Sequence, residues 1–455
     1  MKAFAQNTPV QNTTARTTAV PKSLERHYDL VCRACDHTMA DDGLTLRCPE
    51  NHAPAFLRTR YHDRVPAVSP ESEGLYRYRR WLPVVRTLPG AGGTIVYRAE
   101  GLGRALGLGD LWIAFNGYWP ERGADLRTGT FKELEAYAVF GRLPERPPVL
   151  VVPSVGNTAA AFASVFSRAE VECLLVVPDS GLHRFATVSD IAPSVRLVSI
   201  TGGDYADAIE LAERVSALPG FRAVGGAWNV ARRDGLATVL LSAVEAMGAL
   251  PEVYVQAVGS AVGAIAVHEA AARLIASGHY GSATPRLLMC QNEGIAPVHR
   301  LWHKGPEAHR PVGKEERRAA TGRVYADELV NQHPPYHLGG GIEEALRTSG
   351  GDVLRCSGKA ARAATELFAR TEGIDIEPAA AVAVTCLGRS VREGRVSSGA
   401  RVLLNITGGG RARLSTGLRD DRPTRPILRL HFSALDSPGV LHQIRELFPT
   451  AEASG

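Results

Sequence analysis

The sequence predicts an α/β fold in which helices cover parallel β-sheets, and two observations support this class. From about residue 90 onward, short apolar segments typical of buried strands alternate with segments of helical periodicity, which is the pattern of a parallel sheet with helices on both faces. Several strand segments, such as 148–153, 252–258 and 402–406, run directly into small-residue turns. Parallel sheets place their ligands at such carboxyl ends of strands.

The predicted elements follow one another in regular order, each assigned from its apolar periodicity and its flanking turn residues. Strands are predicted at 111–115, 148–153, 172–177, 195–200, 252–258, 287–290, 353–357 and 402–406. Helices are predicted at 131–139, 204–218, 229–247, 264–275, 342–348, 360–372 and 378–392. Two more are predicted with one bound each: a helix that follows the 154–158 turn and ends at about 167, and a helix that begins at about 182.

The chain has 455 residues, which is enough for two or three domains. Residues 296–341 are polar, rich in His and Pro and weakly periodic, so they predict a long insertion or lid. We expect six regions: a disordered leader at 1–26, a small Cys/His ribbon-like segment at 27–62, an arm and the start of a large domain at 63–110, a region at 111–250 that includes a small mobile α/β domain at about 145–235, the large domain at 250–412 with its insertion at about 296–341, and a C-terminal tail at 413–455 without an assigned role.

Composition excludes several classes of function. With 45% hydrophobic and 22% charged residues the chain is typical of a globular protein, and its net charge of +5 is mild for this length. Basic blocks with interleaved aromatic residues are absent from the sequence, which argues against a nucleic-acid partner. No apolar run of about 18 residues predicts a membrane span, and residues 1–20 lack the apolar centre of a secretory signal. Seven cysteines without a disulfide-framework spacing favour a reducing cytoplasm.

Lys132 is the first candidate for chemistry. The chain has 52 lysines and arginines, of which six are lysines, and a lysine amine can lose its proton and attack a carbonyl whereas an arginine cannot. Lys132 follows the small-residue turn 128–130 and opens a predicted helix, where the helix dipole lowers an amine pKa. We predict a lysine that forms a Schiff base. The alternative is an ordinary solvated surface lysine.

The N-terminal ribbon carries a second candidate site. Its potential ligands have spacings that suit one tetrahedral zinc ion: Cys32, Cys35, Cys48 and His52. His37 can compete with His52 as the nitrogen ligand. The alternative is a metal-free ribbon with spare cysteines.

Three small-residue turns follow predicted strands. In Gly259–Gly263, backbone N–H groups can approach a phosphate closely at the start of a helix. Ser154–Thr158 offers hydroxyl and amide donors to a carboxylate, and Thr407 places a hydroxyl beside glycines with room for a flat ring. The alternatives are ordinary βα turns and a helix N-cap. Likewise, Glu377-Pro378 can be a plain helix start.

The order of these motifs resembles the fold-type II family of pyridoxal phosphate (PLP) enzymes, which includes threonine synthase and tryptophan synthase β. The resemblance covers roughly residues 80–410. Within that family, three segments look most like the cysteate synthases, which are threonine synthase paralogues: 116–120, 130–136 and 331–341. The resemblance implies a tryptophan synthase β-like fold with two open parallel-sheet α/β domains and an N-terminal cysteine-bearing arm. The large domain would then bind PLP.

The resemblance also implies residue roles. Lys132 would hold PLP as a Schiff base, Asn157 would contact the ring hydroxyl and Thr407 would face the pyridine nitrogen. The cofactor phosphate loop would comprise Gly259, Ser260, Ala261, Val262 and Gly263. The loop that closes on the substrate would comprise Ser154, Val155, Gly156 and Thr158.

The implied reaction is a β-replacement that converts O-phospho-L-serine and sulfite to L-cysteate and phosphate through an aminoacrylate, with Lys132 as the base at Cα. Both leaving group and nucleophile are anions, so cationic groups are needed in the pocket. Proximity to the motifs offers four candidates: Arg98, Arg127, Arg232 and Arg233. The resemblance also implies a homodimer, which is the usual oligomeric state of the family.

Three alternative functions stay open. A threonine synthase would release phosphate from O-phosphohomoserine, although the 116–120 segment speaks against it. Another nucleophile than sulfite would make a different β-replacement enzyme of specialised metabolism. A non-catalytic PLP-fold protein would keep the fold alone, although the joint presence of Lys132, Asn157 and Thr407 argues against it.

Overall fold

The computed structural model describes residues 26–188, 191–305, 307, 313–321, 324–331, 334–417 and 427–449. The predicted leader lies outside these residues except for Arg26, and so do parts of the tail. Within the described ranges the strands form sheets of three, five, six and two strands.

The described elements match most of the predicted ones to within a few residues. The strands are β1 (Tyr28–Cys32), β2 (Thr38–Met39), β3 (Leu57–Tyr61), β4 (Ile95–Arg98), β5 (Asp110–Phe115), β6 (Tyr118–Trp119), β7 (Ala124–Asp125), β8 (Val149–Pro153), β9 (Cys173–Pro178), β10 (Val195–Thr201), β11 (Phe221–Ala223), β12 (Val253–Ala257), β13 (Arg286–Asn292), β14 (Asp352–Cys356), β15 (Arg401–Ile406) and β16 (Leu428–His431). The α-helices are α1 (Glu100–Leu106), α2 (Lys132–Arg142), α3 (Asn157–Ala169), α4 (Tyr205–Ser216), α5 (Val230–Met247), α6 (Val262–Ser277), α7 (Pro297–Lys304), α8 (Lys314–Thr321), α9 (Ile342–Thr348), α10 (Gly358–Glu372), α11 (Pro378–Arg392), α12 (Arg411–Gly417) and α13 (Pro438–Glu446).

The six-stranded sheet has the order β14-β13-β12-β15-β5-β4. Its strands are parallel except β4, which runs antiparallel to β5 at the edge. Strands β12 and β15 are central neighbours, and every residue of β12 is buried, as expected for a sheet covered on both faces. The turns that follow these two strands therefore open side by side at the carboxyl edge of the sheet.

The five-stranded sheet has the order β11-β8-β9-β10-β16, and all its neighbouring pairs are parallel. Its edge strand β16 comes from the C-terminal tail, where Leu428 pairs with Val198. Phe448, further along the same tail, packs edge-on against Phe221 of β11, the opposite edge strand, with ring centroids 5.5 Å apart. The tail, for which the sequence analysis had no role, thus completes the small sheet.

The N-terminal strands form an antiparallel sheet, β2-β1-β3, that packs on the α/β body. Phe56 stacks edge-on against Trp228 at 5.0 Å between centroids, and its N–H donates to the carbonyl of Gly339 at 2.9 Å. This sheet therefore contacts both the body and the carboxyl end of the predicted insertion.

A buried ion pair ties the loop after β2 to helix α2. The Asp41 carboxylate accepts from Nε and Nη2 of Arg142 at 2.8 and 2.7 Å, and the two side chains are 0% and 1% exposed. Arg142 also donates to the Asn229 side chain at 3.0 Å, and Asn229 caps α5. One fully desolvated arginine thus joins the N-terminal loop, α2 and α5.

The predicted insertion at 296–341 contains α7, α8 and a short 3-10 turn, Asp327–Leu329. Helix α7 begins with Pro297 at its first position, where the missing N–H of proline costs no hydrogen bond. No helix among the described residues combines the length and the apolar composition that a membrane crossing requires.

Candidate active site

One cavity at the carboxyl ends of β8, β12 and β15 collects nearly all the predicted PLP and substrate residues. It is lined by Lys132, Ser154–Val155, Asn157–Thr158, Gly259–Gly263 and Thr407. Gly156, the remaining residue of the predicted set, lies in the same loop without lining the cavity. The φ of Gly156 is +136°, and a Cβ there would lie 2.6 Å from Cδ of Arg184, so this glycine shapes the loop.

Lys132 is the first residue of α2, and its amine faces this cavity. Its Nζ lies 3.6 Å from Oε2 of Glu135 and 4.9 Å from the ring centroid of Phe131. Burial lowers the pKa of Lys132, the Glu135 carboxylate opposes that shift, and the Arg232 guanidinium adds to it. The net lowering makes the neutral, nucleophilic amine more available near neutral pH.

Glu135 is the centre of a buried polar network that the sequence analysis did not assign. It accepts hydrogen bonds from Nη2 of Arg232 at 2.7 Å and from Oγ1 of Thr158 at 3.2 Å. Burial raises the pKa of Glu135, but the Arg232 and Lys132 cations outweigh it, so the pKa stays below its ordinary value. The i,i+3 spacing from Lys132 was the available sequence signal.

The Gly259–Gly263 turn has the properties of an anion site. Ala261 has φ +61°, in the left-handed region, and no described side chain caps the start of α6 at Val262. The first N–H groups of the helix are therefore available to an anionic ligand. A Cβ on Gly263 would lie 2.8 Å from Nε2 of Gln256, so any larger residue at this position would have to displace the buried Gln256 side chain.

In the Ser154–Thr158 loop, the structure shows helix capping, which was the alternative to ligand binding given above. The Ser154 hydroxyl accepts from the N–H groups of Gly156 and Ala159 at 2.9 and 3.1 Å. It therefore stabilises the first turn of α3, as a capping residue does. The same loop forms one wall of the cavity, so capping and ligand binding are compatible there.

Thr407 follows β15 and is 6% exposed. Its carbonyl accepts from the N–H of Phe131 at 3.0 Å, which ties the end of this strand to the residue before Lys132. Next to it, Arg411 pairs with Glu377 and donates to Oδ1 of Asn157 at 3.3 Å. With Oδ1 held in this way, the side-chain amide N–H₂ of Asn157, which lines the cavity, can donate to a ligand there.

The insertion supplies a further wall through Glu328 and Asn331. Arg184 pairs with Asp327, lies 3.7 Å from Oε2 of Glu328 and donates to the Val155 carbonyl at 3.2 Å. This arginine thus connects the insertion to the loop after β8. Burial, reinforced by the Glu377 carboxylate, raises the pKa of Glu328 to about 7.

Glu328→Gln is expected to stabilise the protein at pH 8 and to change little at pH 5. The folded-state pKa of about 7 exceeds the ordinary 4.5, so the folded form holds a proton that the unfolded chain releases, and stability falls as pH rises through this window. Glutamine keeps an acceptor for the Ala379 N–H and carries no charge. We expect a gain on the order of 2 kcal/mol at pH 8.

Urea unfolding at both pH values measures this gain. The matched control is Glu366→Gln on α10, where the wild-type side chain is 75% exposed. Equal pH dependence of the urea midpoint for Glu328→Gln and wild type would contradict the expectation.

The four candidate arginines differ in their position relative to the cavity. Arg232 lines the cavity, whereas Arg233 is buried and bound to Glu269 and to the carbonyls of Leu57 and Ala227. Arg98 and Arg127 are exposed and do not line it. Of these four arginines, Arg232 is thus the one positioned to contact an anionic ligand in the cavity.

The donor set fits a phosphorylated aldehyde cofactor. Three buried polar atoms of the lining lack a hydrogen-bond partner among the described residues: Thr130 Oγ1, Arg232 Nε and Glu328 Oε2. A polar occupant is the usual explanation for such a concentration of unpaired groups. An amine of lowered pKa and an uncapped helix N-terminus in the same cavity match the aldehyde and the phosphate of such a molecule.

The four predicted zinc residues also come together, and none of them is among the residues that line this cavity. The ligand atoms of Cys32, Cys35, Cys48 and His52 lie within 4.8 Å of one another. His37 stands apart, with Nδ1 3.4 Å from Oε1 of Glu50.

Comparison with known proteins identifies the family. The family described as "Pyridoxal-phosphate dependent enzyme" matches residues 87–408. A cysteate synthase of Methanospirillum hungatei is 43% identical over 387 residues, covering 85% of this chain and 90% of the relative. Cysteate synthases of Methanoculleus marisnigri and Methanothrix thermoacetophila are 42% and 40% identical, covering 90% and 92% of this chain and 94% and 99% of the relatives.

Solved structures show the same fold at low identity. Maize serine racemase has a TM-score of 0.56 at 16% identity and covers 71% of this chain and 90% of its own. Threonine synthase from Escherichia coli has a TM-score of 0.53 at 16% identity, with 75% and 79% covered. The predicted fold class is confirmed: the chain belongs to the cysteate synthases, within the fold-type II family of PLP-dependent enzymes.

Proposed function

We propose that the chain converts O-phospho-L-serine and sulfite to L-cysteate and phosphate. The Cβ–O bond to phosphate breaks, a C–S bond to sulfite forms, and the Cα proton leaves and returns. The observation that carries the proposal is the cavity in which a lysine of lowered pKa, an uncapped helix N-terminus and a buried arginine converge. The printed name of the curated relatives, cysteate synthase, supports cysteate as the product.

When bound, PLP supplies an electron-withdrawing ring that makes the Cα proton of an amino acid removable. Lys132 would hold the cofactor, take this proton and return it. Gly259–Gly263 would bind the cofactor phosphate through backbone N–H groups. Asn157 would contact the ring hydroxyl, and the Thr407 hydroxyl would face the ring nitrogen, where a hydroxyl in place of a carboxylate leaves the nitrogen unprotonated.

The substrate phosphate and sulfite need a cation, and Arg232 is placed for this role. Its side chain is 9% exposed, one of its nitrogens binds Glu135, and Nε has no hydrogen-bond partner among the described residues. A desolvated guanidinium binds oxyanions strongly and with fixed geometry. The carboxylate end of the substrate would meet the Ser154–Thr158 loop.

Arg232→Lys is expected to raise the KM for O-phospho-L-serine by about 10–100-fold, because a charge-assisted hydrogen bond contributes roughly 1.5–3 kcal/mol. Lysine keeps a positive charge beside Glu135 but loses the guanidinium fork. Steady-state kinetics measures the change, with Arg127→Lys, an exposed candidate outside the cavity, as the control. A KM equal to that of the control variant would remove Arg232 from the substrate site.

A substrate panel tests the reaction itself. Phosphate release is measured with O-phospho-L-serine or O-phosphohomoserine, each with sulfite, sulfide or cyanide. The proposal predicts product with phosphoserine and sulfite. Product with sulfide alone would make the chain a cysteine synthase, and release from phosphohomoserine would make it a threonine synthase.

We place the enzyme in the cytoplasm, because none of the seven cysteines forms a disulfide. We also propose a homodimer, the usual state of the family, to be checked by light scattering. Zinc as a second, structural cofactor is a separate proposal that rests on the N-terminal sheet and not on the active site.

A further inference from the structure

The cysteine cluster of the N-terminal sheet is a chemistry-bearing motif that the PLP reaction does not use. Cys32 ends β1, Cys35 lies in the turn after it, and Cys48 and His52 come from the loop between β2 and β3. Residues up to 20 positions apart in sequence thus aim four ligand atoms at one point. We propose that Cys32, Cys35, Cys48 and His52 bind one structural zinc ion.

The shorter separations between ligand atoms are close to those of a tetrahedral zinc site, and all four atoms lie within 4.8 Å of one another. Cys35 Sγ and Cys48 Sγ are 3.8 Å apart, and Cys32 Sγ and His52 Nε2 are 3.3 Å apart. With zinc bonds of about 2.3 Å to sulfur and about 2.0–2.1 Å to nitrogen, tetrahedral geometry places neighbouring ligands roughly 3.5–3.8 Å apart. A disulfide would need about 2.05 Å between sulfurs, so the observed distances favour a shared ion.

Hydrogen bonds around the cluster orient its ligands. Nδ1 of His52 lies 2.7 Å from the carbonyl of Ala53, so it donates there and leaves the Nε2 lone pair facing Cys32. The N–H of Ala34 donates to Cys32 Sγ at 3.4 Å, as backbone groups do to metal-bound thiolates. His37, the competing ligand in the sequence, faces Glu50 instead.

Four protein ligands leave no open position, so the ion would be structural rather than catalytic. It would fix the loop between β2 and β3 onto β1. The same loop carries Asp41, which holds Arg142 at the end of the lysine helix, and it leads to Phe56, which binds Gly339 of the insertion. The zinc would therefore support two walls of the active site from a distance.

Metal analysis of the purified full chain tests the proposal. Inductively coupled plasma mass spectrometry is expected to find about one zinc per chain, and Cys48→Ser and His52→Ala should each lose most of it. The matched control is His37→Ala, which removes the neighbouring histidine and should retain the zinc. Zinc-free protein that takes up no stoichiometric Zn²⁺, iron in place of zinc, or loss of zinc in His37→Ala but not in His52→Ala would each overturn the proposal.

A second readout avoids variants that fail to fold. Titrating the wild-type chain with a mercurial thiol reagent should release zinc to a colorimetric dye in step with modification of three thiols. Release of no zinc would overturn the proposal. Lys132→Ala should keep its full zinc content, so failure of the zinc proposal and failure of the PLP reaction are distinguishable.

Discussion

Lys132→Ala should remove the visible absorbance that PLP acquires when it is linked to a lysine, and should lower kcat by about 10⁴-fold or more. The variant loses the covalent anchor and the base at Cα together, and loss of a general base alone costs about 10²–10⁴ in rate. Absorbance spectra of the protein mixed with PLP and a phosphate-release assay measure the two effects.

The control is Lys359→Ala, which removes an exposed lysine near the start of α10. It should keep both the absorbance and the rate. An unchanged spectrum for Lys132→Ala would show that another amine holds the cofactor, and would refute the assignment of the site.

Asp41→Ala is expected to lower the free energy of unfolding by about 3–5 kcal/mol, because it leaves the desolvated Arg142 without its carboxylate. It also removes the acceptor of the Tyr28 hydroxyl at 2.6 Å. Burial raises the pKa of Asp41, but the hydrogen bond and charge of Arg142 lower it by more, so the net shift of the pKa is downward. The stabilisation is thus present above the pKa of the unfolded carboxyl and is lost as pH falls through the lower folded value.

Urea unfolding at pH 7 measures this loss against Asp29→Ala. Asp29 forms an exposed ion pair with Arg60 at 3.0 Å, and such pairs contribute about 0–1 kcal/mol. Similar midpoints for the two variants would mean that the Asp41–Arg142 pair does not hold the N-terminal loop to α2.

The central strands and helices could be predicted because their patterns are local. Helices α9 and α11 have the predicted bounds, β15 begins one residue earlier than predicted, and β12 is one residue shorter than predicted at each end. The edge strands of the two large sheets could not be predicted in this way. Strand β4 is only partly buried, and β16 finds its partner β10 about 230 residues earlier in the chain, so neither shows a strong local pattern.

The candidate site divides in the same way. Lys132 follows a small-residue turn at a helix start, whereas Gly259–Gly263 and Thr407 follow strands, and the structure places them along one cavity. Arg184, Arg411 and Glu328 act through partners distant in sequence, and nothing local marks them. Ion pairs and hydrogen bonds between residues distant in sequence bring the insertion and Arg411 to the site, and motif spacing does not reveal such contacts.

The most direct measurement is the mass of the product formed from O-phospho-L-serine and sulfite in D₂O. The account predicts cysteate that carries deuterium at Cα, with one phosphate released per cysteate, because Lys132 takes the Cα proton, exchanges it with solvent and returns it. Phosphate release without cysteate, or cysteate with no deuterium at Cα, would contradict it.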